Sequence, residues 1–206
     1  MRIQKFMCTV YFIITFNLLN AQYISVGPII SFGSSFISLG DDVDLVNVKF
    51  HPNWNGGVML VYSTVSNLGF GADIIYSREG GSINEVVSGI TLEKATDIDY
   101  VRVPLKVIWF FNEYGNPIRP KIFLGPQLAY MFKAETEGID VKEDYNVFDV
   151  GIVAGGGANF KLAEAIWLNT DIHYYHGLVD ITADDFADEI NLNSNIGFSI
   201  GVAFGI

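Results

Sequence analysis

The last twelve residues of the chain, 195–206, alternate with a period of two. Ile196, Phe198, Ile200, Val202, Phe204 and Ile206 fall on one face, and Gly197, Ser199, Gly201, Ala203 and Gly205 on the other. Successive side chains of a β-strand point to opposite sides, so one face of this strand is wholly apolar and the other small or polar. A strand of a soluble sandwich puts charged groups on its outer face. Bulky apolar groups opposite almost nothing fit a strand with lipid on one side and a crowded lumen on the other.

The same pattern recurs upstream. Eight strand-like segments are predicted at about 22–35, 54–64, 67–78, 98–111, 120–133, 146–160, 165–177 and 194–206, each long enough for a tilted membrane strand. Leu68, Phe70, Ala72, Ile74 and Tyr76 alternate with Gly69, Gly71, Asp73 and Ser77; Val101, Val103, Leu105, Val107 and Trp109 alternate with Arg102, Pro104 and Lys106. Ile122, Leu124, Leu128, Tyr130 and Phe132 alternate with Lys121, Gly125, Gln127 and Lys133, and Ile166, Leu168, Ile172 and Tyr174 with Asn169, Asp171 and His173. The second segment is the least regular, being apolar on both faces over 58–61. Connections alternate in length: about 18 residues, then Val65 and Ser66, the long 79–97, the compact 112–119 with Gly115, Asn116 and Pro117, the longer 134–145, the short 161–164 and the long 178–193. Short turns on one rim and long loops on the other predict an all-β fold, an eight-stranded antiparallel up-and-down transmembrane barrel. Closure removes the unpaired edges that lipid cannot satisfy. A soluble lipocalin-like barrel needs the opposite arrangement of faces.

The amino terminus reads as an export signal over residues 1–21, with Arg2 and Lys5 before an apolar run from Phe6 to Leu19 and cleavage expected after Ala21, despite the large Leu19 at the −3 position. The run is shorter than a spanning helix needs, and no other stretch approaches that length without Gly or charge. The single Cys, Cys8, lies inside this leader, so the barrel domain, 22–206, has neither disulfides nor thiol chemistry. Without Arg2 and Lys5 the balance is 10 basic to 23 acidic residues, a net charge of −13, which argues against a nucleic-acid partner. An even strand count puts both termini at the periplasmic rim. Tyr23, Tyr62, Phe70, Trp109, Phe111, Phe160, Trp167 and Phe204 lie towards that rim, and Phe32, Trp54, Tyr76, Tyr100, Tyr130, Phe132, Phe148, Tyr174 and Phe198 towards the other. Two such sets are expected as aromatic belts at the headgroups.

Several pieces in order carry a family likeness: Tyr76-Ser77-Arg78-Glu79-Gly80, Asp99-Tyr100-Val101-Arg102-Val103-Pro104-Leu105-Lys106, Gly125-Pro126-Gln127-Leu128-Ala129-Tyr130, Asp149-Val150-Gly151 leading to Gly155-Gly156-Gly157, and Tyr174-Tyr175-His176-Gly177-Leu178. Through them the chain, from Gln22 to Ile206, resembles the PorT-like outer-membrane β-barrel family of Gram-negative Bacteroidetes. The resemblance implies an outer-membrane barrel, in some members associated with protein secretion, with no catalytic residues and no shared substrate. The terminal aromatic of that family is displaced here to Phe204.

Parity places Asp73, Arg102, Lys106, Lys121, Gln127, Asp149, Asn159, Asn169, Asp171 and His173 in the lumen. Eight strands enclose a bore that side chains fill, and buried charges there need partners. The expected structural network is a salt-bridged plug of Asp73, Arg102, Lys106, Gln127, Asp149, Asp171 and His173, with Arg102 and Lys106 neutralised by some of Asp73, Asp149 and Asp171. A narrow charged conduit for small solutes is the alternative. A membrane hydrolase would need His173, Asp171 and a hydroxyl such as Ser77 to converge, and no G-x-S-x-G elbow occurs. His173 and His176 face opposite ways on a strand and make a poor metal pair, and His51 is placed in a loop without neighbouring ligands. Gly155-Gly156-Gly157 lacks the Lys-Ser/Thr of a phosphate loop and marks a kink or a tight lumen. The loop carboxylates Asp41, Asp42, Asp44, Glu135, Glu137, Asp140, Glu143, Asp144, Asp180, Asp184, Asp185, Asp188 and Glu189 match no EF-hand register and read as a solvated surface. No cofactor is expected. The expected surroundings are outer-membrane lipid and extracellular or secretion-machinery proteins, in a non-enzymatic structural or interaction role.

Overall fold

The computed structural model describes residues 24–39, 51–87, 90–183 and 191–206. The expected leader with Cys8, Tyr23, Asp41, Asp42, Asp44, Asp184, Asp185, Asp188 and Glu189 lie outside the described residues. Eight long strands form the wall: β1 (Ile24–Leu39), β2 (His51–Ser63), β3 (Leu68–Val87), β4 (Ile90–Phe110), β5 (Ile118–Thr136), β7 (Phe148–Ala163), β8 (Ile166–Gly177) and β9 (Asn191–Gly205). The two-residue β6 (Ile139–Asp140) is a short return on the end of β5. Each long strand pairs antiparallel with the next, and β9 pairs with β1 to close the sheet. Ile206 N–H donates to Ile24 O at 3.0 Å, which keeps the seam paired to its last residue.

The alternation seen in the sequence sorts the two faces. Ile74 and Leu124 are 64 % and 58 % exposed on the outer wall, whereas Asp73 and Asp149 are 2 % and 0 % exposed inside. Leu105 and Ile200 also face outward, while Arg102 and Asp171 are buried. In the irregular second strand Val58 and Leu60 point out, and Met59 and Val61 join apolar clusters inside. That resolves its apolar character on both faces: the lower bore is filled with grease as well as charge. Gly155 leaves room for such a filling, since a Cβ there would stand 2.4 Å from the Phe123 ring. At the compact rim Gly115 holds φ at 102°, a turn geometry that glycine adopts without steric cost.

Three sequence expectations need correction. The described residues of 79–97 are strand, not loop: β3 and β4 run into the segment in register, from Glu79 with Ile98 to Val87 with Ile90. Tyr100 and Trp167 do not belong to the aromatic belts; both are buried in the lumen. Each shares parity with a polar lumen residue, Arg102 and Asn169, and facing decides over height along the strand. His51 opens β2 instead of lying in a loop, with Nε2 3.1 Å from an Asp97 carboxylate oxygen. Elsewhere the outer belt stands as expected, with Trp54 and Tyr76 in ring contact at 5.5 Å and Tyr76 and Phe132 at 6.0 Å.

Candidate functional site

The bore is built in tiers. At the short-turn end, Arg119 lies over the Phe110 ring, its guanidinium carbon 3.7 Å from the centroid. Above it, Lys106 on β4 donates to Asp73 on β3. Lys121 on β5 reaches over Gly157 of the intervening β7 to Asp171 on β8 at 2.9 Å, and donates also to Asn169 Oδ1 at 3.3 Å. His173, two residues above Asp171, has its Nδ1 3.2 Å from Ser199 Oγ on β9.

The central tier is the most densely connected. Glu79 accepts from Arg102 and from Ser77 Oγ, Asn193 Nδ2 (2.8 Å) and Asn195 Nδ2 (3.1 Å), so four donors on β3, β4 and β9 converge on one carboxylate. The Arg102 guanidinium lies 4.7 Å from the Tyr100 ring centre and 4.5 Å from that of Tyr175, within range for cation–π attraction. Tyr175 O–H donates to Asp149 at 2.8 Å, and the other oxygen of Asp149 is 3.6 Å from Arg102. Between the Lys106 and Arg102 tiers lies a cavity of about 50 Å³ lined by Gln127, His173 and Ser199 among others. It has room for a few water molecules, which would serve the unpaired Nε and Nη1 of Arg102 and Oδ1 of Asp73.

An apolar layer lies over the charges. Ile98, Tyr100, Ala129, Met131, Ala134 and Ile181 form a buried cluster, with Val141, Tyr145 and Val147 packed on it. Two connections supply this lid and are stitched together: Asn146 N–H donates to Ile181 O, Asn146 Nδ2 to the carbonyls of Asp180 and Thr182, and Ala183 N–H to Asp144 O. Burial there raises the Tyr145 phenol above its ordinary range. Asp180 turns its carboxylate back onto the N–H groups of Thr182 and Asn191, so it orders the lid instead of merely solvating it.

Asp73, Arg102, Lys106, Gln127, Asp149, Asp171 and His173 all lie within the bore. Lys106 meets Asp73 and Arg102 has Asp149 at 3.6 Å, as expected, but two pairings differ. Arg102 takes Glu79 as its principal partner, and Asp171 goes to Lys121. Glu79 escaped the sequence reading because it sat in a supposed loop; its parity with Ser77 was the available signal. A hydroxyl does meet His173, but it is Ser199, and no Asp171–His173 hydrogen bond occurs among the described residues.

The family described as outer membrane protein beta-barrel domain matches residues 10–183. The chain belongs to that family. Among solved structures it is similar to the outer membrane protein OprG of Pseudomonas aeruginosa, at 10% identity over 89% of this chain and 95% of that one, with a TM-score of 0.59. Neisserial surface protein A is 15% identical over 88% and 97% of the two chains, with a TM-score of 0.53. A major outer membrane protein from Thermus thermophilus is 11% identical over 88% and 99%, at 0.51. No curated protein matches. At such identities the likeness is one of fold: a closed eight-stranded outer-membrane barrel.

Proposed function

We propose that this chain is a non-enzymatic barrel, sealed through its bore, that works through its long-loop rim as a structural or interaction protein of the outer membrane. The supporting observation is the stacked filling of the lumen. Arg102, Lys106 and Lys121 each meet a carboxylate, and an apolar lid from two stitched connections lies over them. Cations buried singly would cost several kcal/mol each; matched in this way they act as a plug. Residues 1–21 serve as the export leader, both termini and the short turns face the periplasm, and the long connections meet extracellular or secretion-machinery partners. The resemblance to PorT-like barrels is consistent with that role.

A small-solute channel is the second reading, favoured by the central cavity and its unpaired polar atoms. Single-channel recording in planar bilayers separates the two. The full chain is expected to give no discrete conductance steps above the lipid baseline, and a reproducible unitary conductance would overturn the plug. The hydrolase reading is weaker, since Ser199 and His173 sit beneath the lid and Asp171 is committed to Lys121.

A further inference from the structure

At the short-turn end one cation lacks what the others have. Arg119 is 1 % exposed, yet no carboxylate of the described residues lies within ion-pair distance of it. Its guanidinium donates through Nη1 to Ser63 Oγ at 3.1 Å and through Nε to Asn112 O at 3.3 Å, while Nη2 has no partner. Neutral acceptors and the Phe110 face offset only part of the desolvation of a full positive charge. Two further polar atoms close by, Asn159 Oδ1 and Asn169 Nδ2, are likewise buried without partners. All three residues line one small chamber of about 10 Å³, the size of a single water molecule or the tip of a carboxylate.

That chamber shares two of its walls with a larger pocket. Tyr114 and Trp167, rings 6.1 Å apart, line it on one side and on the other line an open pocket of about 380 Å³ at the short-turn mouth. The larger volume is in the range that holds a small organic molecule. Lys161, Glu164 and Ile206 also line that pocket, and the buried cation behind its Tyr114 and Trp167 wall is Arg119. We propose that the short-turn mouth is a binding site for an organic carboxylate, its body held between Tyr114, Trp167 and Lys161 and its carboxylate reaching Nη2 of Arg119. A carboxylate supplies the missing counter-charge in a charge-assisted hydrogen bond, and Asn169 Nδ2 offers a second donor. The source is either a free small carboxylate or the carboxyl terminus of a peptide.

Calorimetric titration of the full chain in lipid nanodiscs tests this with benzoate and its neutral isostere benzamide. Saturable benzoate binding with benzamide about tenfold weaker or undetectable is the expected result. Equal binding of the two, or no binding of benzoate or of the tripeptide below, overturns the proposal. Arg119→Gln is expected to lose the preference for benzoate and Arg119→Lys to keep part of it, with folding checked by heat-modified gel mobility. A folded Arg119→Gln variant that still prefers benzoate assigns Arg119 a merely structural role and also overturns it. Ala-Ala-Phe and its carboxyl-terminal amide distinguish the sources. Tighter binding of the free acid than of benzoate points to peptide termini, and weaker binding to free carboxylates. The comparison of benzoate with benzamide needs no variant, so it stands even if Arg119 proves necessary for assembly.

Discussion

Glu79→Ala is expected to destabilise the barrel by about 3–5 kcal/mol, the cost of breaking a buried ion pair by removing one partner. The loss has a definite origin. Arg102 would keep only Asp149, at 3.6 Å, as a carboxylate neighbour, and Ser77, Asn193 and Asn195 would each lose an acceptor on the same side chain. Removing both charges is a different experiment. In Glu79→Leu combined with Arg102→Met the cation leaves with its principal carboxylate and similar volume is kept, but buried Asp149 loses its counter-charge at 3.6 Å, so only part of the stability should return. Reversible urea unfolding from lipid vesicles, followed by tryptophan fluorescence, measures all three proteins. A Glu79→Ala loss below about 1 kcal/mol would mean that the central tier is wet enough for water to replace the carboxylate.

Leu124→Arg is expected to cost about 2–4 kcal/mol, and to slow or block insertion, because Leu124 lies on the lipid-facing wall between the two aromatic belts. The same change at Phe132, on the outer belt beside the exposed Lys133, is expected to cost about 1 kcal/mol or less, since a charge there reaches the headgroups. Depth dependence is the discriminating feature. In a soluble barrel both positions would face water, and arginine at either would be nearly neutral. The same unfolding assay reads the two variants, and equal small effects would contradict a membrane-spanning wall.

The wall was legible because lipid and lumen impose opposite demands on alternate residues. Leu105 beside Arg102, and Ile172 beside Asp171, leave no doubt about which face is which. The extent of β3 and β4 was not legible for the same physical reason. Above the belt the outer face meets water, and Arg78 pairs there with Asp97 at 2.7 Å, so the two-residue hydrophobic period fades although the backbone ladder continues. Glu79, the centre of the lumen network, was lost with it. Tyr100 and Trp167 were misplaced by a different error, in which closeness to a rim was allowed to outweigh parity. The lid could not be read at all, because Ile181 and Tyr145 lie in irregular segments whose burial depends on which loops meet in space.

Tryptophan quenching in the membrane tests the inside-out wall most directly. The chain has three tryptophans, Trp54, Trp109 and Trp167. The first two are 53 % and 51 % exposed on the outer wall, whereas Trp167 is 5 % exposed within the bore. Three single-tryptophan variants, with the others changed to Phe, can be folded into vesicles of lipids brominated on their acyl chains. Strong quenching of Trp54 and Trp109 with Trp167 nearly unaffected is the expected result. Quenching of Trp167 to the same degree, or none at Trp109, would contradict it.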